Sequence, residues 1–170
     1  LVLKGEPGTG KTLTIRKIAI RAIDECLKDP HAYLPIIVNL NQYRYSNKNG
    51  EPEEVLDFLR RSLRQVHPEI KFLHEDLEST LERRHIVFLM DGLNEMPPID
   101  YTQRTRKLDE FSKQRRRHKF VFSCRTLHYD PLLEAKALTI MPLDDGRIKS
   151  FVQNYIGENT TTQEILDQLY

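Results

Sequence analysis

The sequence predicts an α/β fold, a three-layer α/β/α sandwich in which helices cover both faces of a mostly parallel five-stranded sheet. Two observations predict it. Short apolar runs suited to buried parallel strands alternate with longer segments of helical periodicity. No internal repeat or low-complexity linker interrupts the alternation, and 170 residues are enough for one well-filled core.

Leu1-Val2-Leu3 reads as the first strand. Leu13, Ile15, Ile18, Ala19, Ala22, Ile23, Cys26 and Leu27 then recur at helical spacing until Lys28-Asp29-Pro30 stops the pattern. Pro35 to Leu40 predicts a second strand, and the polar, turn-rich residues 41–52 a loop. Val55, Leu56, Leu59 and Leu63 place a helix over 53–65, and Phe72, Leu73, Leu77 and Leu81 a second over 69–84. Ile86 to Met90 is a third strand, ended by Asp91-Gly92. Residues 101–117 predict a basic helix, Lys119 to Cys124 a fourth strand and Ala137 to Met141 a fifth. Ile148, Phe151, Val152, Tyr155 and Ile156 begin another helix before Gly157, and Thr160 to Tyr170 start one more. The expected organisation is a core over 1–142 and the start of a small helical domain over 143–170.

Between the first strand and the first helix, residues 5–12 read GEPGTGKT, matching G-x-x-x-x-G-K-[ST] at every fixed position. The glycines allow a tight loop whose backbone N–H groups face phosphate oxygens. Lys11 places a cation on the β- and γ-phosphates, the Thr12 hydroxyl can ligate Mg²⁺, and the helix start adds its positive dipole end. This narrows the fold class to a P-loop NTPase. The candidate nucleotide contacts are Gly5, Glu6, Pro7, Gly8, Thr9, Gly10, Lys11, Thr12 and Leu13.

A P-loop needs an acidic partner for Mg²⁺ and water, and IVFLMDGLNE (86–95) supplies one. Asp91 emerges at the carboxyl end of a buried strand, the edge at which open α/β sheets bind ligands. It would hold Mg²⁺ through water, and Glu95 could polarise the attacking water. The fourth strand ends in Arg125, either a contact that reports the γ-phosphate or a surface arginine at a strand terminus. Spacing leaves both open.

Composition sets limits. A net charge of +1 gives no global field favouring nucleic acid, and no apolar stretch is long enough to span a membrane. Cys26 and Cys124, far apart in apolar segments, suit a reducing cytoplasm, and six scattered histidines show no metal-ligand spacing. Residue 1 already lies inside the strand feeding the loop, so a piece of a longer protein is expected. Arg104, Arg106, Lys107, Lys113, Arg115, Arg116, Arg117 and Lys119 form a basic stretch. It reads as a solvated helix face diluted by Asp109 and Glu110, or as a nucleic-acid or subunit contact, the former partner having no further support. Tyr33, Tyr43 and Tyr45 are core or loop residues or base-stacking candidates. The lack of an Asn/Thr-Lys-x-Asp element tilts the nucleotide toward ATP/ADP over GTP.

Together, GEPGTGKT, LPIIVNL, the run ending in DGLNE, the SCRT segment and MPLDDGRIKSFVQNYIG (141–157) resemble the NACHT family of STAND-class signal-transduction ATPases. The resemblance implies P-loop roles for Lys11 and Thr12, the Mg²⁺ role for Asp91, hydrolysis through Glu95 and a sensor role for Arg125. It also implies that the Arg125 strand lies between the P-loop strand and the Asp91 strand. The family more often has Asp where Asn94 stands; Asn keeps the hydrogen-bonding shape and removes a charge. The implied function is an ATP-binding, slowly hydrolysing switch, closed with ADP and self-associating with ATP. The alternatives are an AAA-type ATPase remodelling protein or DNA, and a module that holds nucleotide without hydrolysing it.

Overall fold

The computed structural model describes residues 1–46, 50–71, 75–128, 133–148 and 150. Two compact units divide the chain, Leu1–Ile140 and Met141–Tyr170. The first holds β1 (Val2–Gly5), α1 (Lys11–Lys28), β2 (Leu34–Asn39), α2 (Val55–Val66), α3 (Leu77–Arg83), β3 (Ile86–Asp91), α4 (Tyr101–Gln114), β4 (Lys119–Arg125) and β5 (Ala137–Thr139). In the second, residues 145–148 and 150 are helical. The expected helical positions Phe151 to Ile156, Gly157 and 160–170 lie outside the described residues.

The sheet has the order β2-β3-β4-β1-β5, and all four pairings are parallel. Strand β4 therefore lies between β1 and β3, as the resemblance implied. Because every strand runs the same way, the carboxyl ends of β1, β3 and β4 share one edge. Arg125 is in register with Gly5, and Asn39 with Asp91.

Each face of the sheet has its own core. On one, Phe58, Leu59 and Leu63 of α2, Leu77 and Leu81 of α3, and Leu108 and Phe111 of α4 pack on Ile36, Val38, Phe88, Met90 and Phe122. Phe88 and Phe120 stack at 5.0 Å between centroids, with Phe111 edge-on to both. On the other face, Ile15, Ala19 and Ala22 of α1 cover Leu3, Val87, Leu89 and Val121. Strand β3 touches both layers, which is why five consecutive residues, Ile86 to Met90, are buried.

Four expectations need correction. The apolar stripe of α1 is wider than its contact with the sheet: Leu13, Ile23 and Leu27 are exposed, Leu27 by 81%. The helix expected over 69–84 is interrupted: Lys71 and Glu75 are helical, the chain bends at Asp76 (φ −121°, ψ 43°) and α3 starts at Leu77; Phe72 and Leu73 lie outside the described residues. The fifth strand ends at Thr139 rather than Met141. The basic stretch is not one surface. Arg104 is 2% exposed, and its guanidinium holds the carbonyls of Tyr45 (3.1 Å) and Arg44 (3.4 Å) beneath the Tyr43 ring. Lys107 pairs with Glu54, and Lys113 bridges Asp109 (2.7 Å) and Glu134 (2.8 Å).

Candidate functional site

The glycine loop owes its shape to residues whose conformations exclude side chains. Gly8 and Gly10 sit at φ 79° and 86°, in the left-handed region that β-carbons disfavour. At Gly5 the constraint is contact: a Cβ there would lie 2.4 Å from Thr9 Oγ1 and 3.2 Å from the Ile140 carbonyl. Thr9 braces the loop, its hydroxyl donating to the Glu6 carbonyl at 2.8 Å. Lys11 Nζ donates to the carbonyls of Gly5 (2.9 Å) and Glu6 (2.8 Å), which hold the ammonium along the inner edge of the loop. Gly10 caps α1, and the first turn of that helix holds no acidic residue to neutralise its positive end.

Across the sheet edge, Thr12 Oγ1 donates to Asp91 Oδ2 at 2.8 Å. A hydroxyl and a carboxylate this close offer the oxygen donors a hard cation takes, the hydroxyl directly and the carboxylate through a bound water. Among the described residues, no three His, Cys, Asp or Glu form a ready-made metal site. The remaining ligands would be phosphate oxygens and water, as is usual for Mg²⁺.

Ser123 and Gly92 organise the acidic strand end, and the sequence reading passed over both. The buried Ser123 hydroxyl donates to Asp91 Oδ1 and accepts from the Gly92 N–H at 2.8 Å. It fixes one carboxylate oxygen and leaves the other facing Thr12. The signal for Ser123 was a hydroxyl in an otherwise apolar strand, two residues before Arg125 and so on the same face. Gly92 adopts φ 82°, and a Cβ there would meet the Glu95 carboxyl carbon at 2.9 Å. Its left-handed turn starts the short 3₁₀ turn Leu93–Glu95 that carries the glutamate. Asn94 Oδ1 accepts the Arg125 backbone N–H at 2.9 Å, tying this turn to the end of β4. An aspartate could accept the same bond, so the amide keeps the connection and removes a charge from the site.

These groups line one cavity of about 360 Å³, whose wall includes Gly8, Lys11, Thr12, Asp91, Glu95 and Arg125. Pro7, Gly10 and Leu13 join them, whereas Gly5, Glu6 and Thr9 shape the loop from behind. A more apolar hollow of about 700 Å³ lies elsewhere, beside β2, α1 and α2. The tyrosines stand apart from the cleft: Tyr43 is buried on Phe58 (4.7 Å), Tyr45 lies under Arg61 (4.3 Å), and Tyr33 meets His85 (5.3 Å). Cys26 and Cys124 are free thiols, and burial pushes the Cys124 thiol up.

A phosphate-cradling loop between β1 and α1, in a five-stranded parallel sheet with an acidic strand end beside it, defines a P-loop NTPase. The particular family follows from sequence: the NACHT domain model matches residues 1–159, and the chain belongs to the NACHT family. It carries a nucleotide-binding NTPase module of that family. No curated protein matches it in sequence. Among solved structures it is similar to the Aeropyrum pernix ORC1 protein in complex with DNA (TM-score 0.61, 15% identity, 92% of this chain and 43% of that one). It is also similar to Pyrobaculum aerophilum CDC6P (0.54, 22%, 90% and 41%) and to C. elegans PCH-2 (0.53, 14%, 93% and 39%). At these identities the likeness concerns the fold, and this chain spans about two fifths of each of those chains. Among the described residues, no helix is long and apolar enough to cross a membrane.

Proposed function

We propose that this chain is the nucleotide-binding core of a cytoplasmic NACHT switch ATPase that binds Mg-ATP, hydrolyses it slowly and self-associates in the ATP state. The core would occupy 1–142, with the helical domain beginning at 143. The observation that carries this reading is the convergence of Lys11, Thr12, Asp91, Glu95 and Arg125 on one cavity of about 360 Å³.

The proposed roles follow from the chemistry of each group. The loop amides and the amino end of α1 bind the β-phosphate, and Lys11 spans the β- and γ-phosphates. Thr12 and Asp91 hold Mg²⁺, which when bound neutralises charge on the phosphate oxygens. Glu95, exposed at the cavity mouth, orients water toward the γ-phosphorus and accepts its proton. Arg125 stabilises charge on the transferring group and senses whether it is present. Asn94 ties that sensor strand to the Glu95 turn, so a shift at Arg125 reaches the glutamate through one hydrogen bond. Adenine is favoured over guanine because no Asn/Thr-Lys-x-Asp element is present to read guanine.

Single-turnover phosphate release by the full-length protein tests the hydrolytic assignment. Glu95→Gln should retain triphosphate binding and slow release by about 10²- to 10⁴-fold. An unchanged rate would remove Glu95 from the mechanism and favour a module that holds nucleotide as a structural ligand.

A further inference from the structure

The amino edge of the sheet, at the opposite strand ends from the nucleotide cleft, holds a concentration of charge that phosphoryl chemistry does not use. Two turns meet there, one between α3 and β3 and one between α4 and β4. Arg117 donates from its guanidinium to the Glu82 carbonyl at 2.6 Å. The His85 ring contacts the Arg117 carbonyl at 3.3 Å, and the Ile86 N–H donates to His118 Nδ1 at 3.3 Å. Arg83, Arg84, Arg115, Arg116, Arg117 and Lys119 are thereby gathered on one edge of a chain whose net charge is only +1.

Helix dipoles do not account for so many cations. Helices α3 and α4 both end here, and each end carries the equivalent of about half a negative charge, which one cation satisfies. Nearby carboxylates are already engaged: Arg60 takes Glu78 at 3.4 Å, and Lys113 takes Asp109 and Glu134. Glu82 is left facing the arginines across a hollow of about 780 Å³. Several of these cations are also held in place rather than waving in solvent. The Arg115 guanidinium lies 4.1 Å from the Phe111 ring centroid, and the Lys119 ammonium 3.9 Å from that of Tyr33.

We propose that this edge is a docking surface for the phosphodiester backbone of a nucleic-acid strand. Five of the six cations are guanidinium groups, which meet phosphate oxygens through paired N–H bonds. Spread over two adjoining turns, with Arg115, Arg116 and Arg117 lining the hollow, they suit a chain of phosphates better than one compact anion. The half-buried Tyr33 borders the basic surface, its ring packed against Lys119 and His85. The surface is separate from the cleft, so nucleic acid and Mg-triphosphate occupy the protein together.

Fluorescence anisotropy of a labelled single-stranded oligonucleotide, titrated with the full-length protein, tests the proposal. About five phosphate contacts make the affinity fall about a hundredfold between about 50 and 200 mM salt. The double variant Arg83→Glu/Arg116→Glu changes two exposed side chains and lowers affinity by about tenfold or more, with a shallower salt slope. Arg116→Lys retains most of the binding. Absence of binding at low salt overturns the proposal, as does binding that the charge reversals do not weaken. Retention on vesicles of acidic phospholipid without affinity for the oligonucleotide overturns it too, and assigns the edge to a membrane surface.

Discussion

Replacing Ser123 with Ala tests how the acidic strand end is organised. The hydroxyl is the acceptor for the Gly92 N–H (2.8 Å) and a donor to Asp91 Oδ1, and the residue is 1% exposed. Alanine removes both bonds without removing carbon. The Gly92 amide would be left buried without its acceptor, a loss of about 1–3 kcal/mol. Asp91 is only half-buried, so water replaces part of what its carboxylate loses, and about 2–3 kcal/mol in all is expected. For a chain of this size each kcal/mol moves Tm by about 2–4 °C, giving a fall of roughly 4–12 °C by scanning calorimetry. A metal-binding carboxylate without its orienting partner loses affinity about 10- to 100-fold. Isothermal titrations with and without Mg²⁺ should therefore show a weakened Mg-dependent component and little change in Mg-free nucleotide binding. An unaltered Tm together with an unaltered Mg²⁺ dependence would refute the reasoning, because the hydroxyl would then be holding neither group.

Two further outcomes follow from other parts of the structure. Arg125→Ala should weaken ATP about tenfold or more, as loss of a charged hydrogen bond does, while ADP affinity changes little; equal losses for the two nucleotides would remove the sensor role. His118 is buried and accepts the Ile86 N–H, and its pKa is held below the usual 6.5 by that burial and by Arg117, Arg115 and His85. The unfolded chain then takes up the proton first, so the contribution of His118 is intact above pH 6.5 and is lost as pH falls toward the lower folded value. Tm should drop from about pH 7 to about pH 5.5, and His118→Gln should flatten that drop; an identical pH profile in the variant would contradict it.

Much of the site was legible because its chemistry is local. The loop from Gly5 to Thr12 is contiguous, and Asp91 and Arg125 each end an apolar run, so strand-end placement follows from hydropathy alone. The strand order came from the family resemblance, since no local signal tells β4 to insert between β1 and β3. Ser123 and Gly92 were missed because their roles lie in tertiary contacts, a hydroxyl reaching across strands and a glycine making room for Glu95. Arg104 was misread for the same reason. Its sequence neighbours are solvated cations, yet the carbonyls of Arg44 and Tyr45, about sixty residues earlier, draw it inside. The apolar stripe of α1 is broader than its buried face, Ile15, Ala19 and Ala22, because periodicity reports what a helix can cover rather than what it does cover.

The most direct test is a crystal structure of the full-length protein with Mg²⁺ and a non-hydrolysable ATP analogue. The γ-phosphate should lie between Lys11 and Arg125, with the ion on the Thr12 hydroxyl beside Asp91 and a water within reach of Glu95. A triphosphate bound away from the β1–α1 loop, or an ion that approaches neither Thr12 nor Asp91, would contradict the account.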